Sequence, residues 1–247
     1  MARAFAKAGA RVSVAARSTE ALEQVAAPIG ASTFTVDLAD TYQTEQLIPM
    51  VEAAAGPIDI LMSNAGIETT EHMNSVDLDT LRAVSRVNLE APMVLTRQVL
   101  PGMLERNSGH LAFTSSLAGT SGFPGLASYG ATKAGLSNFV SAIRLELRDT
   151  NINTTLVAPG PVDTEMWDNV EQTDDLSPVL RRMNRLQLLP KKSPEFLAQR
   201  TVEAISNDVR HVRTPRRLSS NFWLREAPAR LTELLMTGVE VGPKRPE

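Results

Sequence analysis

From His110 to Ala158 the chain reads HLAFTSSLAGTSGFPGLASYGATKAGLSNFVSAIRLELRDTNINTTLVA. His110–Ser115 and Ile152–Ala158 are short, largely apolar runs, each too brief for a helix, and each predicts a strand. Between them Leu136, Phe139, Val140, Ile143 and Leu147 recur at offsets of three, four and seven. That spacing predicts a one-faced amphipathic helix over about 128–149. A strand, a helix and a second strand in this order predict a parallel pair with the helix laid across one face.

The same alternation extends in both directions. On the N-terminal side, residues 2–8 read as a helix stopped by Gly9 and Arg11–Ala16 as a strand. Ser18 is an N-cap for a helix to about residue 28. A strand at Ser32–Val36, a helix near 41–55 and a strand at Ile58–Ser63 follow, and then a long helix over about 78–105. Asn107-Ser108-Gly109 make the turn into His110. Beyond Ala158, Ser177-Pro178 and Ser193-Pro194 each set an N-cap residue before a proline suited to the first helical position, so two more helices begin there. A short strand near His211–Thr214 and a helix around 222–236 complete the pattern. No repeat or low-complexity linker interrupts it. The expectation is a single α/β domain over residues 1–247: a doubly wound parallel sheet covered on both faces, in three layers αβα. Such sheets bind ligands beyond the carboxyl ends of their strands. That directs attention to the loops after Ala16, Val36, Ser63, Ser115 and Ala158.

Composition narrows the classes of function. The chain has 247 residues, 43% of them hydrophobic, and no cysteine. A disulfide scaffold, a thiolate metal site and a cysteine nucleophile are thereby excluded. His72, His110 and His211 are far apart and lack metal-ligand spacing, so no metal site is expected. No apolar run reaches the ~18 residues of a membrane span, and Met1 is followed by Ala-Arg-Ala-Phe rather than a signal peptide's apolar core. A cytoplasmic setting is expected. The net charge of −3 conceals an imbalance: from Arg181 onward 14 Lys/Arg stand against 7 Asp/Glu, leaving −10 for the first 180 residues. Acids interrupt the basic residues, so a solvated face is expected rather than nucleic-acid binding. The tail, about 218–247, interleaves Phe222, Trp223, Leu224, Leu231, Leu234, Leu235 and Met236 with Arg225 and Arg230. That is the pattern of a helix able to lie on a membrane surface, although packing on its own domain or a partner subunit is the preferred reading.

The strand-end loops hold the residues with chemistry in them. Ser63-Asn64-Ala65-Gly66 follows one strand and Ser115-Ser116 ends the next. Tyr129-Gly130-Ala131-Thr132-Lys133 lies near the start of the amphipathic helix, and Pro159-Gly160-Pro161-Val162-Asp163-Thr164 follows Ala158. An offset of four places Tyr129 and Lys133 on one helix face, with Cβ atoms about 5–6 Å apart. An ammonium there is expected to favour the phenolate and lower the tyrosine pKa towards neutrality. A phenol tuned in that way exchanges a proton with a carbonyl or alcohol oxygen. Taken singly, each of these features is an ordinary helix-surface pair, cap or turn.

Taken together and in order, Asn64-Ala65-Gly66, Asn88, Ser116, Tyr129-x-x-x-Lys133 and Pro159-Gly160 resemble the short-chain dehydrogenase/reductase family, over residues 1 to about 215. The resemblance implies NAD(P)-dependent hydride transfer to or from a small-molecule carbonyl or secondary alcohol. It implies Tyr129 as the acid/base and Lys133 as the residue that binds the nicotinamide ribose and acidifies Tyr129. Ser116, which precedes the tyrosine by thirteen, would hold the substrate oxygen, and Asn88 would hold a water relaying protons from Lys133. For the cofactor it implies Asn64, Ala65 and Gly66 along the adenosine ribose and Asp37-Leu38 beside the adenine. Pro159, Gly160, Val162 and Thr164 would wrap the carboxamide and diphosphate. Arg17 and Ser18 stand where an acid would bond a ribose 2′-hydroxyl; a guanidinium suits a 2′-phosphate, so NADP(H) is expected over NAD(H).

The family normally begins with a strand and a Thr-Gly-x-x-x-Gly-x-Gly turn, whose N–H groups meet the pyrophosphate at a helix N-terminus. The sequence contains neither, and Met1–Gly9 resembles the helix that follows. The absent strand would be central in the order 3-2-1-4-5-6, so its neighbours are expected to show unpaired edges. A misassigned start codon is expected ahead of a shortened chain or a genuine short form, and the chain as written is expected to bind cofactor poorly. Large apolar residues fill the family's substrate loop, here about 163–192: Met166, Trp167, Val170, Leu176, Val179, Leu180, Met183, Leu186, Leu188 and Leu189. With Phe123 and Leu126 they imply a bulky apolar substrate. Helices 78–105 and 128–149 are where the family forms homodimers or homotetramers. The alternative is a non-catalytic relative acting by binding or oligomerisation. A serine hydrolase is excluded, since no Gly-x-Ser-x-Gly elbow surrounds Ser116 and no histidine follows before His211.

Overall fold

The computed structural model describes residues 1–172, 180, 185 and 189–215. The helices expected at Ser177-Pro178 and around 222–236 lie outside these residues, as do Leu176, Val179, Met183, Leu186 and Leu188. The elements run α1 (Ala2–Lys7), β1 (Ser13–Ala16), α2 (Thr19–Ala26), β2 (Ser32–Thr35), α3 (Thr41–Ala55) and β3 (Ile60–Ser63). They continue with α4 (Leu78–Ser85), α5 (Ala91–Glu105), β4 (Gly109–Thr114), α6 (Ala127–Glu146), β5 (Ile152–Ala158), α7 (Glu165–Gln172), α8 (Pro194–Ser206) and β6 (His211–Arg213). The caps work as their chemistry requires. Ser18 and Ser193 accept from the N–H groups of Ala21 and Phe196, and Asp40 and Asp77 serve α3 and α4 in the same way, each satisfying donors a helix start leaves open.

Every strand pairing is parallel. β3, β4, β5 and β6 form one sheet in that order, with Leu111 opposite Thr154 and Phe113 opposite Leu156. β1 and β2 form a separate two-stranded sheet. The division falls between β1 and β3, where the sequence reading expected an absent strand to leave its neighbours unpaired.

Successive residues of β5 face opposite layers, as the period of two requires. Leu156 joins Leu111 and Phe113 of β4, Val99 and Met103 of α5 and Leu136 and Val140 of α6 in the main core. Val157 faces the other way, toward Leu197 and Ala204 of α8, with Met1 and Met62 packed alongside. Phe113 meets Phe139 edge to face at 5.9 Å between ring centres, the geometry aromatic quadrupoles favour. The helix read as continuous over 78–105 is broken at Arg86–Glu90 by a π-helical turn. The break carries Asn88 and seats Leu89 against α6, where a Cβ on Gly135 would come within 3.2 Å of Leu89.

Candidate active site

β4 ends against the first turns of α6, and two glycines permit the approach. A short turn at Leu117–Gly119 follows Ser116. A Cβ on Gly119 would stand 2.9 Å from the carbonyl carbon of Lys133, and one on Gly130 would stand 3.0 Å from the Ala118 oxygen. With hydrogen in both places the turn lies directly on α6, and the two serines take different directions. Ser115 is buried, its Oγ donating to the Lys133 carbonyl at 2.9 Å and lying 2.8 Å from Ser137 Oγ. Ser116 accepts from Ala118 N–H at 3.2 Å, and its hydroxyl acts on the Tyr129 phenol to lower its pKa.

Tyr129 and Lys133 share one face of α6, as their spacing predicts. Lys133 Nζ lies 5.7 Å from the centre of the Tyr129 ring and donates to Thr114 O at 2.9 Å. Lys133 is only 3% exposed, and burial brings its ammonium down from 10.5 to about 8, because a low-dielectric surround disfavours the charged form. Burial acts on the phenol in the opposite sense. The Tyr129 pKa is raised above 10, chiefly by desolvation; the Ser116 hydrogen bond opposes the rise and the Glu68 carboxylate adds to it. Burial thus moves the phenol opposite to the lowering expected from Lys133, whose ammonium lies over the ring and donates to a backbone carbonyl.

Asn88 is fully buried and hydrogen-bonded on both ends of its amide. Its Oδ1 accepts from Ile67 N at 2.9 Å, and its Nδ2 donates to Ile67 O at 2.8 Å and to Thr132 Oγ1 at 3.2 Å. The amide thus clamps the loop after β3 to α6. Gly66 sits inside that clamp, where a Cβ would lie 3.1 Å from Lys133 Nζ and 3.2 Å from Asn88 Oδ1. Asn64 and Ala65 are exposed beside it, Asn64 Oδ1 accepting from Thr114 Oγ1 at 3.0 Å. Pro159 is tied to the same place, its carbonyl accepting from Leu117 N at 2.8 Å. Gly160 N donates to Thr214 O at 2.7 Å, and Thr164 Oγ1 bonds Val162 O at 3.2 Å.

Arg17, Ser18, Asp37 and Leu38 stand at the ends of β1 and β2. Arg17 is exposed and has no ion pair among the described residues. Asp37 closes a local turn by accepting from Ala39 N at 2.9 Å, and Leu38 packs against the core. Arg86, at the start of the π-helical turn, reaches across to Ala39 O at 3.3 Å. These residues fit parts of a nicotinamide dinucleotide. The buried Lys133 ammonium has three donors and gives one to Thr114 O, leaving two for ribose hydroxyls. Ser63 Oγ, at the end of β3, is buried with no hydrogen-bond partner, and Arg17 offers a planar cation for a phosphate. The sequence holds no Thr-Gly-x-x-x-Gly-x-Gly turn to which diphosphate binding can be assigned.

Above Tyr129 lies an apolar cluster: Leu117, Phe123, Leu126, Val170, Leu180 and Leu189, with Trp167. Phe123 and Leu126 belong to it as the sequence suggested, and so does α7. Lys191 closes its base, lying 3.3 Å from Asp163, 3.3 Å from Asp168 and 3.4 Å from Glu171, beside a parallel bridge between Val162 and Lys192. A groove of about 880 Å³ between α8 and β6 is lined by Lys192 and Thr214 among others, but by none of Ser116, Tyr129, Lys133 and Asn88. Sequence reasoning missed Glu68, Thr132, Gly119 and Gly130. Of these Gly130 and Thr132 had a signal, since both lie inside the Tyr129–Lys133 stretch.

The fold and this group of residues define a class, and comparison with known proteins agrees. The family model described as short chain dehydrogenase matches residues 1–175. The ketoacyl reductase HetN of a Nostoc species is 34% identical over 217 residues, covering 86% of this chain and 72% of that protein. A metagenomic short-chain oxidoreductase solved in complex with NADP is 31% identical, with a TM-score of 0.62 over 74% of this chain and 83% of that one. A short-chain dehydrogenase from Streptomyces avermitilis is 25% identical, with a TM-score of 0.75 over 96% of this chain and 93% of that one. The chain belongs to the short-chain dehydrogenase/reductase family of NAD(P)-dependent oxidoreductases.

Proposed function

We propose that the chain reduces a bulky apolar ketone, or oxidises the corresponding secondary alcohol, with NADP(H) in preference to NAD(H). The observation that carries the reading is the convergence of Ser116, Tyr129 and Lys133 beneath one apolar cluster. The cofactor supplies or accepts the hydride when bound. Ser116 holds the substrate oxygen and Tyr129, protonated at neutral pH, donates its proton to that oxygen. Lys133 and a water on the Asn88 side return a proton to the phenol. The Asn88 side chain is spent on Ile67 and Thr132, so its first task is to fix the loop carrying Gly66, and it acts as a positioning residue. Asn64, Ala65, Gly66, Pro159, Gly160, Val162 and Thr164 line the nucleotide, Asp37 and Leu38 flank the adenine, and Arg17 with Ser18 meets the 2′-phosphate. The metagenomic relative solved with NADP supports a nicotinamide cofactor of this type. Similarity to a ketoacyl reductase, HetN, supports an acyl-chain ketone among the substrates to try.

Residues 1–247 then form one domain with its substrate loop at about 163–192, working as a homodimer or homotetramer through the surfaces of α4, α5 and α6. Among the described residues no helix is long and apolar enough to cross a membrane, and a cytoplasmic setting remains part of the reading. A second, non-catalytic reading is favoured by one observation, the division of the sheet between β1 and β3. Absorbance of the reduced nicotinamide with a panel of apolar and small polar ketones separates the two. The expected outcome is turnover of apolar ketones, with kcat/KM at least about tenfold higher for NADPH than NADH and that preference lost in Arg17→Ala. Equal efficiency with both cofactors contradicts the NADP(H) assignment, and turnover of small polar ketones alone contradicts the apolar one.

A further inference from the structure

Glu68 lies at the mouth of the Tyr129 site and is held there from both sides. The preceding residue, Ile67, is clamped through N–H and C=O by Asn88. The following residue, Thr69, is buried, and the backbone of Thr70 is met by Gly125, where a Cβ would come within 2.8 Å of the Thr70 oxygen. The Glu68 side chain is half-buried and spans the opening to α7, accepting from Asn169 Nδ2 through Oε1 at 3.4 Å. Among the described residues no cation reaches this carboxylate. Two residues before Asn169 in α7, Trp167 packs in the apolar cluster with Tyr129. Its Nε1 is buried without a hydrogen-bond partner. The site therefore has an apolar body and, on the α7 side, a carboxylate acceptor at its edge.

The Glu68 carboxylate opposes ionisation of Tyr129, and a ligand donor brought to it makes a charge-assisted hydrogen bond. Resting on the ketone-reductase reading above, we propose that Glu68 selects the substrate: its carboxylate receives a hydroxyl or an ammonium on an otherwise apolar carbonyl compound and turns away compounds with an anion there. A polar residue at such a position discriminates strongly, because an analogue lacking the matching group leaves it unpaired.

The test is a ketone series sharing one apolar body and ending in methyl, hydroxymethyl, aminomethyl or carboxylate. It is followed by kcat/KM and, with cofactor bound, by calorimetric Kd, for wild type, Glu68→Gln and Glu68→Ala. Expected for wild type is a preference of about ten- to hundredfold for the hydroxyl and ammonium members over methyl, with the carboxylate member weakest. Glu68→Gln keeps part of the hydroxyl preference and loses the ammonium preference; Glu68→Ala flattens the series. A wild-type series already flat, or one whose ratios persist in Glu68→Ala, overturns the assignment and means that the chain's own groups answer the carboxylate. Donor-selective binding lost in Glu68→Ala, with no turnover of any member, keeps Glu68 as the selector and overturns the reductase reading instead.

Discussion

Lys133 and Tyr129, the pair proposed to handle the proton, show how a site can work against its own fold. Each is buried, and burial moves each pKa against its charged form: the ammonium down to about 8, the phenol above its ordinary value. For the lysine, whose folded pKa is depressed, the unfolded chain binds more protons than the native one between about pH 8 and 10.5. Stability therefore rises with pH across that window, and the burial cost is fully present below it. The shift corresponds to about 3 kcal/mol at most. Lys133→Met, which keeps the packing and removes the charge, is expected to raise the midpoint of thermal unfolding at pH 7 while abolishing turnover, the exchange of stability for activity usual at such sites. Thermal denaturation of the two proteins at pH 7 and pH 10 checks this, and the gap between them should narrow at the higher pH.

At the scale of elements, what was readable in the sequence was what composition and period determine. The apolar face of α6, the run of β5 and the Ser193-Pro194 start of α8 were all legible, because hydrophobic spacing and caps are written locally. Three features were not. The π-helical turn at Arg86–Glu90 inserts a residue without changing residue type, so 78–105 reads as one helix. The turn at Leu117–Gly119 exists through contact with α6, a partner the local sequence does not announce. α7 mixes Glu165, Asp168 and Glu171 with Met166, Trp167 and Val170, and read as loop until its apolar residues met the cluster over Tyr129. Ser116, Tyr129 and Lys133 were legible as an ordered set, whereas Glu68 enters only through the fold of the loop that carries it. Gly119→Ala tests whether the Leu117–Gly119 turn positions Ser116. Its Cβ must displace backbone on one side or the other, so kcat/KM is expected to fall by about 100-fold for a displacement near 1 Å, at a stability cost of about 1–3 kcal/mol. A variant that keeps full activity would show the close approach to be packing alone.

The whole molecule is unequal in its two sheets. β4 and β5 are enclosed by α5 and α6 on one face and α8 on the other, with Leu111, Phe113 and Val157 fully buried. β1 and β2 are short, pair among the described residues only with each other and carry half-buried and exposed residues. Local opening should follow that difference. Native-state hydrogen exchange is expected to find the slowest amides at Leu111–Phe113 and Leu156–Val157 and much faster exchange at Val14–Ala16. Equal protection across both sheets would mean that the division between β1 and β3 is closed in solution. The division also bears on function. The residues proposed to handle the substrate oxygen sit on the well-packed sheet, whereas Arg17, Ser18, Asp37 and Leu38, proposed for the 2′-phosphate and the adenine, sit on the weaker one. Nucleotide affinity should thus be more sensitive to destabilising conditions than the geometry around Tyr129.

The decisive experiment is the pH profile of kcat/KM for ketone reduction, recorded for wild type and Tyr129→Phe together. Wild type is expected to hold its rate from neutrality to about pH 8 and to lose it as Lys133 gives up its charge. Tyr129→Phe is expected to lie about 10²–10⁴-fold lower throughout, without that break. A Tyr129→Phe profile that overlays the wild type would contradict the assignment of the proton to this phenol.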